Sequence, residues 1–256
     1  MTMKKCLFAI LCMTFAGISS CSTNKGTATT DEKDNPYLVG AYADFRSITD
    51  EEMQLFESAY THQAKLIPQS VATQVVAGTN YQFICTDESD NVVKVVIFKP
   101  LPNQGEPKVS SIEPLSAYDE IVTSIKEGFE DEWQTKSPED IGVSPIYQYR
   151  NPSMGFAKTD INGDGILELL LGDSMDAYYD LFTYDAEEGK VNHVFCGGER
   201  DRIKFNGSGT IIREGSSSAS DSFTKYYRLE HNELMELQEQ EAEDDLQTIS
   251  LEPFKN

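Results

Sequence analysis

Basic residues are scarce: 21 Lys and Arg stand against 43 Asp and Glu in 256 residues, a formal charge of −22. Nucleic-acid binding needs a cationic stripe to displace counterions from phosphates, so that class is excluded. Histidine is scarcer still, at three. His62, His193 and His231 stand in no recognisable metal or nucleophile pattern, and His62 reads as a solvated or packed ring on a helix. Cys85 lies in a strand pattern with no paired histidine motif, which leaves a packed sulfur rather than a thiol nucleophile. Gly197-Gly198-Glu199-Arg200 and Gly215 with Ser216 to Ser218 neither lead into a helix nor carry a following lysine, so both read as turns rather than phosphate loops. No enzyme reading survives these absences. Apolar material is not lacking: hydrophobic residues make up 39%, with 12 Tyr and 13 Phe, which excludes disorder throughout.

A long apolar run is also missing. The stretch from Cys6 to Ile18 follows Lys4 and Lys5, is too short to span a bilayer, and ends in Ser19 and Ser20, the layout of a secretory signal peptide. Ile18-Ser19-Ser20-Cys21 resembles a bacterial lipobox, which implies cleavage before Cys21 and a lipid on its thiol. Ser22 after Cys21 is compatible with the outer membrane, so a cell-envelope lipoprotein is expected, touching the membrane through its anchor alone. Residues 1–20 carry two lysines and no acid, so their removal takes the charge from −22 to −24. Residues 21–37 are polar and read as a flexible tether. Only Cys85 and Cys196 then remain, expected as free thiols rather than a bridge.

Residues 38–114 form one segment. Thr49-Asp50-Glu51-Glu52 is a capping box, and Met53, Phe56, Tyr60, Ala64 and Ile67 recur at helical spacing, predicting an amphipathic helix of about 18 residues that Pro68 stops. Val71 to Val76, Tyr81 to Thr86 and Val92 to Phe98 read as strands joined by short turns. An antiparallel sheet wrapped on one helix follows. From Leu115 a second helix is expected, capped by Ser116 with Ile121, Val122, Ile125 and Phe129 on its face. Short β runs come after it: Tyr178 to Tyr184, Val191 to Cys196, Arg202 to Phe205, Thr210 to Arg213 and Phe223 to Leu229. The acidic run from Glu236 to Asp245 reads as a solvated helix or tail. The fold class is α+β, with a domain boundary near Pro114 and a β-rich meander with one or two helices over 115–256.

Gln74-Val75-Val76-Ala77-Gly78, then Thr79-Asn80-Tyr81, describes a hairpin tip, with Gly78 free to take the positive φ of a tight reversal. Hairpin tips are ordinarily polar; Val75, Val76 and Ala77 cannot all be buried in their own sheet, and apolar residues on a rigid turn suggest docking. This run resembles the first inhibitory hairpin of the cystatins, inhibitors of papain-like cysteine proteases. Two further segments match in order: Leu38-Val39-Gly40-Ala41 resembles the N-terminal trunk, and Phe98-Lys99-Pro100-Leu101-Pro102 the second hairpin in its stefin form. The resemblance implies a monomeric, reversible inhibitor whose protease-binding residues are Leu38, Val39, Gly40, Gln74 to Gly78, Leu101 and Pro102. Leu38 and Val39 would take the non-primed side, the chain turning away at Gly40, while Val75 to Gly78 plug the cleft and Leu101-Pro102 cover the primed side. Ala41 replaces a second glycine, and Trp133, the only tryptophan, lies outside the segment. No asparagine site of the kind used against legumain-type proteases is present.

Asp160-Ile161-Asn162-Gly163-Asp164-Gly165-Ile166-Leu167-Glu168 places oxygen ligands at alternate positions around glycines, which suits calcium. Asp160, Asn162, Asp164 and Glu168 would offer side-chain oxygens and Ile166 its carbonyl, in a structural role. Leu171 stands where an EF-hand needs a bidentate Glu, and both flanks read as strands. The loop resembles the calcium loop of FG-GAP-type modules, but it occurs once, which argues against a closed propeller. A competing class remains open: a cell-surface binding or adhesion lipoprotein that uses the cystatin-like sheet only as scaffold.

Overall fold

In the computed structural model, which describes residues 40–218, 220–238 and 246–255, the capping box opens helix α1 (Asp50–Ala59). Glu52 N–H donates to Thr49 Oγ1 at 3.3 Å, and Glu52 Oε2 accepts from Thr49 N–H at 3.0 Å. Arg46 forks onto the same carboxylate at 2.8 and 2.6 Å. The helix ends well before Ile67, the last residue of the helical periodicity. Tyr60 is already extended, and the Ala64 N–H donates to Ala186 O at 3.1 Å, so a partner distant in sequence captures the backbone that periodicity assigns to the helix. Pro68 sits inside strand β1 (Ile67–Val76), at an edge of the sheet and beside a register shift, where a missing N–H is tolerated.

β1 pairs with β2 (Gly78–Thr86), β2 with β3 (Val92–Pro100) and β3 with β4 (Lys108–Glu113), all antiparallel. Val71, Phe83, Val95 and Ile112 form one cross-strand row, each no more than 1% exposed. Phe56 of α1 meets Phe83 edge-on at 5.1 Å, and Leu55 joins the same cluster. Burial of four such side chains under a helix at about 25 cal/mol per Å² is what holds helix to sheet.

Pro114, the expected boundary, is the N-cap residue of helix α2 (Leu115–Glu130). Ser116 does not cap this helix: its hydroxyl accepts the Val92 N–H at 2.8 Å and ties α2 to β3. Val122, Ile125 and Phe129 pack on β5 (Met154–Thr159), β6 (Glu168–Asp173) and β7 (Ala177–Asp185) together with Phe254. β8 (Lys190–Cys196) pairs with β7 off the main path, which runs antiparallel from β7 to β9 (Asp201–Asn206), β10 (Ile211–Ser218), β11 (Asp221–Glu230) and β12 (Glu233–Leu237). Two short strands, β13 (Leu246–Gln247) and β14 (Glu252–Pro253), pair with β9 and β5. Two expectations change here. Gly215 lies within β10, with the Phe223 ring covering the space a Cβ would need, and not in a turn. Glu236 and Leu237, the start of the acidic run, lie in strand β12, while 239–245 lie outside the described residues.

The fold is α+β, a four-stranded antiparallel sheet on one helix followed by a β-rich portion with a second helix. The two portions share core: Tyr184 and Ala186 pack among the residues of the first sheet, and the described residues from Gly40 onward form one compact unit. Cys85 is buried, Cys196 is exposed, and the two are not bonded.

The Arg46 fork, with help from Thr49, holds the Glu52 carboxyl down at about 2, below its ordinary 4.5. The stabilisation is therefore complete above the ordinary value and is lost as pH falls through the folded one. Glu52→Gln is expected to cost about 1 kcal/mol at pH 7. Urea unfolding between pH 5 and 2 checks this: the variant should lose less stability over that window than the native chain.

Candidate functional site

Three segments that are remote in sequence meet at one end of the four-stranded sheet. The β1–β2 reversal is tight, with Val76 opposite Gly78, Val75 opposite Thr79 and Gln74 opposite Asn80. Gly78 has φ +142°, and a Cβ there would lie 2.6 Å from Lys99 O and 2.7 Å from the Phe98 ring. Only glycine lets β3 pass this close. Val75 is 74% exposed and Val76 43%, and Ala77 is exposed as well, so the tip is apolar, rigid and open.

β2 brings the second segment alongside, because Gly78 pairs with Pro100, the residue before Leu101 and Pro102. Leu101 is 46% exposed at the start of the turn that its carbonyl closes by accepting the Gln104 N–H at 3.0 Å. Gln74 brings the third. Its Nε2 donates to Gly40 O at 2.5 Å, and its Oε1 accepts from Asn80 Nδ2 at 2.7 Å, which orients the amide. Ala43 N–H donates to Thr73 O at 2.8 Å and continues the contact along β1. Gly40 takes φ +96° with nothing within 4 Å of a notional Cβ, so the chain turns there in open space. Leu38 and Val39 lie outside the described residues, as do residues 1–20, Cys21 and the tether.

The carboxylate loop joins β5 to β6 and is folded by its own side chains. Asp160 accepts from Gly163 and Gly165 N–H at 2.8 and 2.9 Å, Asn162 from Asp164 N–H at 3.1 Å, and Asp164 from Ile166 N–H at 2.7 Å. Glu168 is fully buried and accepts from Ile161 N–H at 2.8 Å and Thr183 Oγ1 at 3.2 Å. Burial, with the charges of Asp164 and Asp160, pushes its carboxyl up to about 8 against the pull of the Ile161 N–H. Among the described residues no lysine or arginine pairs with these three acids. The uncompensated charge of Asp160 and Asp164, with an all-oxygen donor set around it, suits a hard divalent cation. The loop is also fastened to the first sheet: Ile112 N–H donates to Gly165 O at 2.8 Å, and Leu167 N–H to Ile112 O at 2.9 Å.

Among the described residues, one set of three His, Cys, Asp or Glu ligand atoms lies within 4.8 Å of one another, and it is not in that loop: it is Asp180, His193 and Cys196. Sequence spacing conceals this set, because Cys196 and His193 are three residues apart and should face opposite ways on a strand. Burial pushes both thiols up, Cys85 to about 12 and Cys196 to about 11, the latter with Asp180 adding to the rise. Neither is a thiolate nucleophile at neutral pH. His62 is near the surface, 3.3 Å from Glu187.

A solved structure of a secreted type 1 cystatin from Fasciola hepatica is similar to this chain, at 31% identity, covering 29% of this chain and 94% of that one with a TM-score of 0.25. No protein-family model and no curated protein matches.

Gly78→Ala should destabilise the chain by about 2 kcal/mol, since the substitution is strained in φ and also collides with the β3 backbone. Urea midpoints would measure it; an unchanged midpoint would mean that the tip relaxes freely and is not rigid.

Proposed function

We propose that this protein is a reversible, non-covalent inhibitor of papain-like cysteine proteases, held at the outer membrane by a lipid on Cys21. One observation carries the reading: Gly40, the apolar tip Val75–Ala77 and Leu101–Pro102 converge on one end of a single sheet, linked by Gln74 and by the Gly78–Pro100 pair. These are the three segments that a cleft-filling wedge requires. Leu38 and Val39 run into the non-primed side of the cleft like substrate, and the chain turns off at Gly40, so no carbonyl is offered to the catalytic thiolate. Val75 to Gly78 fill the centre and Leu101-Pro102 rest on the primed side. Binding comes from apolar burial by an edge that is already ordered, so little conformational entropy is lost. No bond is made or cut. Residues 21–37, extended, reach on the order of 60 Å, which leaves room for a protease between the wedge and the membrane.

In the same reading the carboxylate loop holds calcium through Asp160, Asn162, Asp164, the Ile166 carbonyl and Glu168. The ion would neutralise the buried Glu168 and stiffen a loop that is hydrogen-bonded to Ile112 of the inhibitory sheet. Saturating calcium is expected to raise the thermal midpoint by about 5 °C relative to EGTA, and Asp164→Ala to abolish that rise. Equal midpoints in calcium and EGTA would remove the ion from the reading and leave the wedge untouched.

The deciding experiment is inhibition of papain and a cathepsin by residues 22–256, with Gly40→Glu alongside. Competitive, reversible inhibition is expected, and the variant should lose it by on the order of a hundredfold or more, because a charged side chain would stand where the trunk meets the cleft. Matching circular dichroism spectra would show that the fold is kept. Equal inhibition by variant and native chain would sink the wedge. No inhibition by the folded native chain would leave the sheet as scaffold for another partner.

A further inference from the structure

Asp180 of β7 stands directly opposite Cys196 of β8. Were the strands regular, His193 would point to the other face, since side chains alternate with a period of two. The register shifts at this point: Leu181 faces Phe195 and Phe182 faces His193, which leaves Val194 without a counterpart. That bulge swings His193 onto the face of Asp180, Phe182 and Cys196. Its ring stacks on Phe182 with centroids 4.0 Å apart and planes 13° from parallel, and its Nε2 lies 2.8 Å from Asp180 Oδ1.

The floor of this cluster is built. Asp180 is fully buried, and the Ser144 N–H donates to both of its oxygens at 3.1 and 3.2 Å. Ser144 Oγ donates to Gly197 O at 2.8 Å, and Gly197 N–H to Tyr179 O at 2.6 Å, which fixes the chain directly after Cys196. Tyr147, also fully buried, lies beside Asp180, and its hydroxyl completes no hydrogen bond. The opposite side is open, with Cys196 exposed and the His193 side chain 25% exposed.

We infer that Asp180, His193 and Cys196 form a binding site for a divalent transition metal of the zinc class. A thiol, an imidazole and a carboxylate make a mixed sulfur, nitrogen and oxygen set, which suits zinc and is wrong for calcium or magnesium. Thiolate and carboxylate together neutralise the ion. Three protein ligands under an open side leave the fourth position to water or to an outside ligand. The Ser144 N–H stands behind Asp180 as the group that orients it. As the sulfur–metal bond forms, the Cys196 proton passes to the buffer.

The test is titration of residues 22–256, stripped of metal and free of tags, with Zn2+ alone by calorimetry and with Co2+ alone by absorption. One ion per chain is expected, with a thiolate-to-cobalt charge-transfer band and a heat that varies with buffer ionisation as the proton is released. Cys196→Ser should abolish the charge-transfer band, and His193→Ala should weaken zinc binding on the order of tenfold or more. Both side chains are partly exposed, so these variants keep the fold, which circular dichroism would verify. The buried Asp180 is left unmutated. Absence of saturable zinc binding overturns the proposal, and so does binding that persists unchanged in the Cys196→Ser, His193→Ala double variant, because the ion would then sit among surface acids.

Discussion

The main chain of Ile112 is the joint on which the two portions depend. Its side chain closes the buried row of the first sheet, and its N–H and carbonyl leave that sheet to bond the loop between β5 and β6. A strand at a sheet edge carries unpaired N–H and C=O groups that invite aggregation, and here the loop covers them. Glu113, next in sequence, is 4% exposed and meets both Lys94 and Lys158, the latter at 2.9 Å. Lys158 reaches Asp119 of α2 as well, at 2.9 Å. A buried acid with two cations is compensated charge, whereas Glu168 nearby has N–H and hydroxyl partners only. The contrast is physical: Glu113 is satisfied by the fold itself, while the carboxylate loop retains an electrostatic demand.

The candidate docking end is rigid for reasons that are local. Gly78 admits β3 at a distance that no side chain would allow, and Gln74 fastens the entering segment to the hairpin through one oriented amide. Val75 and Val76 would lose stability to water if they floated on a mobile loop. Held by backbone pairing, they are apolar surface whose ordering cost was met on folding.

Much of this was legible in the sequence where the signal is local. The capping box names the start of α1 because it is made by residues within one turn. The tip was readable because Gly78 sits between runs of β-branched residues. The end of α1 was not readable, since the competitor for its backbone, Ala186, is more than a hundred positions away. Ser116 has the chemistry of a cap, but Val92 takes its hydroxyl. Pro68 looks like a helix stop and is instead an edge-strand residue, a distinction that depends on which strand lies outermost. The Asp180, His193 and Cys196 cluster was hidden for a sharper reason: one extra residue, Val194, inverts the facing of everything before it, and nothing in the local composition announces a bulge.

The direction of attachment decides whether the docking end can work. The tip end of the sheet is marked by the Val76–Gly78, Gly78–Pro100 and Phe98–Lys108 pairs. The β-rich portion joins elsewhere, through Ala64, Val92, Ile112 and Glu113, which lie toward the Thr86–Val92 end. Had the loop been fastened near Lys108 rather than Ile112, it would have stood beside Leu101 and obstructed any cleft approaching it. As built, the heavier portion braces the sheet from behind, and the entering chain at Gly40 reaches the free end from the other side. The hydrogen bonds of Ile112 fix the back of the sheet, and that of Gln74 holds the entering chain at its open end.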